Sequence, residues 1–525
     1  MTNVLHPKSV AIVGAGISGI AASIHLKRAG LEVTVYERSS QAGGIWVFNE
    51  QVAKYAAYPS ILPSAGDSPE FERSLQQTKR HDSPMRDLAE EDLQSDDELS
   101  LSFAPPGSVY RQWLGTISLL TWASRPCYVA LKNNVSTIEM ETTAHAWKAG
   151  TEEFVPHHVL ADYIQGAAAA NNVIENIQFD TRVTEVVKEG SRWRVETAKL
   201  TGVPSDSNVS RDVKDFDALV IATGHYHAPN VPEMPGLADW VQTFPSRIWH
   251  SKRYRSSDAF KGQNVLLVGA GVSSVDIAKD LGGVAAAVFQ SSRGGMYDLP
   301  SHLLPDNAAR VEGIRSFEAL SGAALSEDGS IPGTVTLTSG KKLCNIHQII
   351  LCTGYHVSFP FMRQYHSDGV EPEDADEHVL VTNGQVTHNL HKDIFYIPDP
   401  SLVFLGVPYH TATFTLFEFQ AMAIAAVLSG AVSLPSETAM RNEYRDRVQM
   451  KGAGRTLHSL KGVNQEPEYV ADLVAMVNAE KSLMVGHTVR WLEAYARRRV
   501  RQEFLFSKKR DAAVDQAIVD LVIGC

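Results

Sequence analysis

Gly14, Gly16 and Gly19 stand in G-x-G-x-x-G spacing directly after the apolar run "SVAIV" at 9–13. In that spacing the first glycine permits a tight turn and the second lets a pyrophosphate approach the backbone. The third lets the following helix pack on the strand. The phosphates then lie at a helix N-terminus, where unpaired N–H groups and the helix dipole favour anions; Ser18 falls in that first turn. Glu37 follows Gly14 by 23 positions and closes the next apolar run, "EVTVYE". A carboxylate there accepts hydrogen bonds from ribose hydroxyls and repels a 2′-phosphate, which selects FAD or NAD over NADP. "QAGGIW" at 41–46 adds two glycines suited to backbone running along a cofactor. With the strand-ending Thr-Gly turns of "FDALVIATG" (216–224) and "NIHQIILCTG" (345–354), it points to FAD. Trp46 could border the flavin or sit in the core.

A second loop, "GAGVSS" at 269–274, follows the apolar run "NVLLV". Gly269 and Gly271 keep the G-x-G pair, and serine replaces the third glycine. The next strand ends in "VFQSSRGG", with Ser291, Ser292 and Arg293 where the ribose acid would stand. Hydroxyls and a guanidinium suit a phosphate, because arginine pairs with it through two charge-assisted hydrogen bonds. The second site is therefore expected to prefer NADPH over NADH. FAD and NADPH in one chain imply reduction of the flavin. No C-x-x-C pair is present among the four cysteines, so a disulfide reductase lacks its dithiol and oxygen or a small organic acceptor remains.

Two strand–loop–helix–strand units, with 255 positions between Gly14 and Gly269, must position these groups. The expected fold is α/β, with two Rossmann-like dinucleotide-binding domains and the NADPH domain inserted into the FAD domain. The expected boundaries are 1–225 for the first part of the FAD domain, 226–356 for the NADPH domain and 357–525 for the second part. Residues 60–107 are rich in Ser, Pro, Asp and Glu, which reads as a solvated insertion or as a substrate lid. The tail from about 430 reads as helical, with the basic stretch "YARRRVRQ" (495–502) as a solvated face. At 525 residues the chain has room for two or three domains, and a net charge of −12 argues against nucleic acid or an anionic membrane as main partner. No apolar run reaches membrane-spanning length, no signal peptide is evident, and scattered cysteines fit a reducing compartment, so a cytoplasmic protein is expected. No metal-ligand cluster is evident, since the His157–His158 pair lacks ligand spacing. The sequence leaves association as a homodimer open.

"FPSRIWHSKRY" (244–254) carries a more specific pattern. Phe244, His250 and Tyr254 match the F-x-G-x-x-x-H-x-x-x-Y/F stretch of the flavin-containing monooxygenases, which the chain resembles, with Ser246 in place of the glycine. "FDALVIATGHYHAPNVPEMPG" (216–236), "ILCTGY" (350–355) and "LVFLGVPYHTATFTLFEFQA" (402–421) resemble further family segments. The last of these implies that Gln420 lies near the isoalloxazine. "LKNNVS" (131–136) resembles the family's L-R-T-N-x-P and implies that Asn134 lies beside the reactive flavin edge. Only residues 60–125 and about the last ninety fall outside the resemblance.

The motifs and the resemblance together imply an FAD set of Gly14, Gly16, Ser18, Gly19, Glu37, Arg38, Gly44, Ile45, Trp46, Asn134, Val183, Thr223, Gly224 and Gln420. The implied NADPH set is Gly269, Gly271, Ser273, Ser274, Asp276, Ser291, Ser292 and Arg293. Asn134, His250 and Tyr254 are the expected catalytic-centre residues, His250 holding the two domains at a working angle rather than acting as a general base. Arg247, Lys252, Arg253 and Arg255 have no assigned role, being solvated or reaching NADP⁺. The resemblance implies a C4a-hydroperoxyflavin that delivers one oxygen atom to the nitrogen or sulfur of a small amine, indole or sulfide, such as an alkaloid. Tyr254 favours this branch over Baeyer–Villiger oxygen insertion; a flavin reductase or NADPH oxidase that releases peroxide is the other alternative.

Overall fold

The computed structural model describes residues 7–50, 52, 56–60, 62–66, 125–201, 208–508, 510 and 512–519. Most of the acidic segment expected at 60–107 lies outside them. A seven-stranded sheet holds the first glycine loop. Within it, Ser9–Val13 pairs in parallel with Glu32–Tyr36 on one side and with the central strand Ala218–Ile221 on the other. Leu402–Phe404 extends the sheet beside Ala218–Ile221, so a strand some 180 positions later completes the sheet that the N-terminus begins.

β-Branched and aliphatic residues fill both faces of this sheet, as a parallel sheet covered on two sides requires. Val10 and Ile12 face one apolar cluster with the helices Ile17–Arg28, His157–Ala170 and Thr413–Leu428. Ala11 and Val13 alternate to the opposite cluster, which includes Trp193, Phe216 and Phe404. An antiparallel sheet of Thr181–Glu189, Arg192–Thr201 and Asn208–Phe216 contributes that second layer.

The second glycine loop lies on a five-stranded all-parallel sheet, ordered Ala308–Val311, Ala287–Ser291, Asn264–Val268, Gln348–Leu351 and Ile248–His250. The pattern repeats: Leu266 and Val268 face one cluster, and Val265 and Leu267 face the other. "IWH" at 248–250 is thus an edge strand of this sheet rather than a linker, with His250 paired to Leu351. The two chain crossings between the sheets pair with each other: Ala228–Pro229 and Tyr355–His356 form an antiparallel ribbon.

The tail is helical over Glu437–Lys451, Gln465–Val477, Val489–Ser507 and Ala512–Val519. Among the described residues no helix is long and apolar enough to cross a membrane, and no group of three His, Cys, Asp or Glu side chains could hold a metal ion. Cys127 and Cys352 are free, and Cys344 is disulfide-bonded.

The glycine spacing is enforced by contact as well as by the turn. Gly14 has φ +105°, and a Cβ on Gly19 would stand 1.8 Å from the Gly14 carbonyl oxygen. Gly19→Ala should therefore push the helix off its strand, at a cost of about 1–3 kcal/mol. Thermal unfolding should show a lower midpoint, and the flavin-to-protein absorbance ratio should fall with it.

Candidate active site

Both glycine loops open on one cavity of ≈ 2000 Å³, twice the ~1,000 Å³ upper range of ordinary ligand pockets. Gly14, Gly16 and Ser18 line it from the first sheet, Gly269, Gly271 and Ser273 from the second, and Thr223, Gly224 and Gly354 from the two strand-end turns. Gly19 packs against Gly14 instead and is not part of the wall.

Glu37 is buried and its carboxylate is held from both sides. One oxygen accepts from the Ala15 N–H at 2.8 Å and the other from the Ser39 N–H at 2.9 Å. Arg125 stands 3.6 Å from the second oxygen and also donates to the Gln41 carbonyl. Sequence reasoning missed Arg125, because it follows the acidic segment, where no motif fixes a register. Arg38, Gly44, Ile45, Trp46 and Val183 also line the cavity, and Trp46 meets Phe414 edge-on at 6.4 Å.

At the second loop several of the expected side chains already have partners within the protein. Ser291 is buried and its hydroxyl donates to the Glu312 carbonyl at 2.9 Å. Ser292 donates to the Asp298 carboxylate and accepts from the Gly294 N–H, so its hydroxyl is used within its own turn. Ser274 is fully buried, accepts from Gln290 and does not reach the cavity. Ser291 and Ser292 still line the cavity, whereas Ser274 does not. Arg293 is exposed and lines the cavity. Asp276 lines it too, accepting from the Tyr128 hydroxyl at 3.1 Å, and burial raises its carboxyl.

The two asparagines of "LKNNVS" divide cleanly. Asn133 is buried, donating to the Val135 and Glu153 carbonyls and accepting from the Val155 N–H. Asn134 is exposed and lines the cavity. Gln420, expected beside the flavin, is fully buried away from the cavity. Its carbonyl oxygen accepts from the Gly406 N–H at 2.9 Å and its amide donates to Tyr469 at 2.7 Å. It shapes the turn before Val407 and Pro408, which do line the cavity.

His250 and Tyr254, expected at the catalytic centre, do not line the cavity either. The Lys252 N–H donates to His250 Nδ1 at 3.1 Å, so Nε2 carries the proton and donates to the Gly354 carbonyl at 2.9 Å. Burial lowers this imidazole from 6.5 to about 3, which keeps it neutral and unsuited to proton transfer near pH 7. Tyr254 is buried against Tyr128 and Phe260, and its hydroxyl donates to Asp280. The basic residues beside them also turn inward. Lys252 is buried and donates to the His227 carbonyl at 2.6 Å, and Arg255 donates to the Asn49 carbonyl at 2.8 Å. The whole stretch fastens the second sheet to the first. Ser246 sits in an exposed turn without a left-handed backbone, so the missing glycine is not required there.

The C-terminal helix Val489–Ser507 contributes a cavity wall, which corrects its reading as a solvated basic face. Arg498 is buried between two buried carboxylates, 2.7 Å from Glu139 and 3.1 Å from Glu466. Desolvation raises both acids, Glu466 to about 7. The only sequence signal was helical spacing of Trp491, Tyr495 and Arg498, which does not say against what the helix packs.

A family model described as flavin-binding monooxygenase-like matches residues 127–303, and one described as an NAD(P)-binding Rossmann-like domain matches 12–78. The chain is 40% identical over 512 residues to the flavin-containing monooxygenase ustF2 of Aspergillus flavus, covering 92% of this chain and 96% of that protein. The chain belongs to the flavin-containing monooxygenase family. The monooxygenase is also 30% identical over 515 residues to iboF of Amanita muscaria, covering 92% of this chain and 90% of that one. The fold matches that of S-allyl-L-cysteine S-oxygenase from Allium sativum with a TM-score of 0.64 at 22% identity, over 99% of both chains.

It is thus an oxidoreductase that works with FAD and NADPH on a small molecule and O₂. The glycines fit two dinucleotides. A Cβ at Gly224, Gly271 or Gly354 would meet nothing within 4 Å, leaving open space where cofactor backbone must pass.

The neutral His250 has a consequence for stability. The folded state holds this imidazole unprotonated down to about pH 3, whereas the unfolded chain takes up a proton near 6.5. Its contribution is present above pH 6.5 and is lost as pH falls below it, by up to about 1.4 kcal/mol per pH unit. Urea unfolding at pH 7.5, 6 and 5 should show that loss, and His250→Gln should flatten it while lowering stability at pH 7.5.

Proposed function

We propose that this monooxygenase transfers one oxygen atom from O₂ to a nucleophilic nitrogen or sulfur of a small amine, indole or sulfide, using NADPH in preference to NADH. The observation that carries the reading is that both glycine loops and the exposed Asn134 open on the same cavity. When bound, NADPH supplies hydride, and FAD activates dioxygen at its C4a position. The chain's own residues bind, orient and exclude water.

In this reading the FAD domain comprises 1–225 and 357–525, and the NADPH domain 226–356. Gly14, Gly16, Ser18 and Glu37 hold the ADP half of FAD, and Gly44, Ile45 and Trp46 flank its remainder. Gly269, Gly271 and Ser273 hold the NADPH pyrophosphate. Arg293 carries the preference for NADPH alone, since Ser291 and Ser292 are committed to internal hydrogen bonds. The Asn134 carboxamide orients the reacting groups. His250, Tyr254 and Gln420 act one layer back, by fixing backbone that lines the cavity.

The decisive assay couples NADPH consumption to a mass gain of one oxygen across amines, indoles, sulfides and ketones. Esters formed from ketones would replace this reading with Baeyer–Villiger insertion. Asn134→Ala should keep FAD and still oxidise NADPH, but release hydrogen peroxide in place of product; unchanged product per NADPH removes Asn134 from the centre. Arg293→Ala should raise the Michaelis constant for NADPH about 10- to 100-fold, the worth of a charged hydrogen-bonded pair, and leave that for NADH nearly unchanged.

A further inference from the structure

Three cations in the cavity wall have no carboxylate partner among the described residues. Arg455 lies 4.9 Å from the Tyr297 ring and 6.0 Å from the Tyr409 ring. Lys461 lies 5.6 Å from the same Tyr297 ring and donates to the Met296 carbonyl. Arg499, from the C-terminal helix, reaches the Lys461 carbonyl at 3.5 Å, and its Nε is buried without a hydrogen-bond partner. All five side chains line the cavity. Arg498, one position before Arg499, is by contrast neutralised by Glu139 and Glu466.

Arg455 and Lys461 are exposed, so solvent screens their like charges, whereas the Arg499 Nε is a buried donor without a partner, which costs about 1–3 kcal/mol. The aromatic faces offset part of the charge. An anion entering the cavity would meet three cations that have no carboxylate among the described residues. The pyrophosphates have other sites, at the N-termini of Ile17–Arg28 and Val272–Asp280, and Arg293 stands at the end of the strand Ala287–Ser291.

The subsite is also built from both halves of the molecule. Tyr297 comes from the loop after Arg293, and His410 stacks on it at 5.3 Å. The backbone around Tyr409 is strapped to the 458–460 segment by the Tyr409 N–H to the His458 carbonyl and the Leu460 N–H to the Tyr409 carbonyl. This places the cations beyond the flavin-side turn at 405–411, in the part of the cavity closed by the C-terminal helix.

We propose that Arg455, Lys461 and Arg499 form an anion subsite that takes a carboxylate of the substrate. The oxidised nitrogen or sulfur then belongs to an acid-bearing molecule such as an amino acid or a small peptide. The proposal narrows the substrate class of the oxygen-transfer reading above, but its binding test does not depend on turnover. A cofactor phosphate is the competing source of the same chemistry.

The test is isothermal titration of the FAD-loaded enzyme with N-acetylglycinate and with N-acetylglycinamide, without and with saturating NADP⁺. The acid should bind at least tenfold more tightly than the amide in both conditions. Arg455→Gln and, separately, Lys461→Gln should erase that preference while NADP⁺ still binds. Equal binding of acid and amide overturns the subsite. Loss of acid binding once NADP⁺ is saturating assigns the cations to a cofactor phosphate and overturns it as well. If acid binding follows the expected pattern but no acid-bearing amine or sulfide gains oxygen, the subsite stands and the oxygen-transfer reading fails.

Discussion

A buried hydrogen bond from His250 Nε2 to the Gly354 carbonyl fixes the geometry on which the cavity depends. Gly354 lies in the turn after the strand Gln348–Leu351 and begins the return crossing to the first sheet. Two residues later His356 pairs with Ala228 of the outgoing crossing. The bond therefore acts where the chain passes between the two nucleotide-binding sheets. Its strength comes from a desolvated site in which the imidazole is neutral and each ring nitrogen has one partner.

The residues around that bond extend the clamp. The buried Lys252 caps a carbonyl in the first crossing, and Arg255 reaches back to the first half at Asn49. Tyr128 reaches from the first half to Asp276 on the helix behind the second glycine loop. These polar contacts across the interface add to the packing of Tyr128 on Tyr254. Such contacts define an angle through directional bonds, where an apolar seam would permit sliding. Two cofactors brought to one cavity need a fixed angle, because reaction between them depends on orientation within about an ångström.

The C-terminal helix serves the same cavity by another route. The Glu139–Arg498–Glu466 group joins it to the segment following Asn134 and, through the Ala412 N–H bonded to Glu466, to the turn at 405–412. One guanidinium between two buried acids is costly to assemble and more costly to leave incomplete. That makes it a specific lock for the helix, and the wall the helix provides carries Arg499, whose Nε is buried without a hydrogen-bond partner among the described residues.

Local sequence was enough to determine the two glycine loops, their order along the chain and the acid Glu37 that closes the second strand. Each of these rests on residues close in sequence whose chemistry is set by backbone geometry. The strands Ser9–Val13 and Asn264–Val268 were legible for the same reason, as short β-branched runs. Tertiary structure alone decided which polar side chains face the cavity. Asn133 and Asn134 are neighbours of the same type, and only the Val135, Glu153 and Val155 backbone groups around Asn133 distinguish them. Ser291, Ser292 and Gln420 have the right chemistry for a ligand but find nearer partners within the protein. The clamp at 250–255 and the wall formed by the C-terminal helix rest on contacts spanning about 25 to 360 positions. No local pattern encodes such contacts, because a hydrogen bond depends on where its partner lies in space and not on where it lies in the chain.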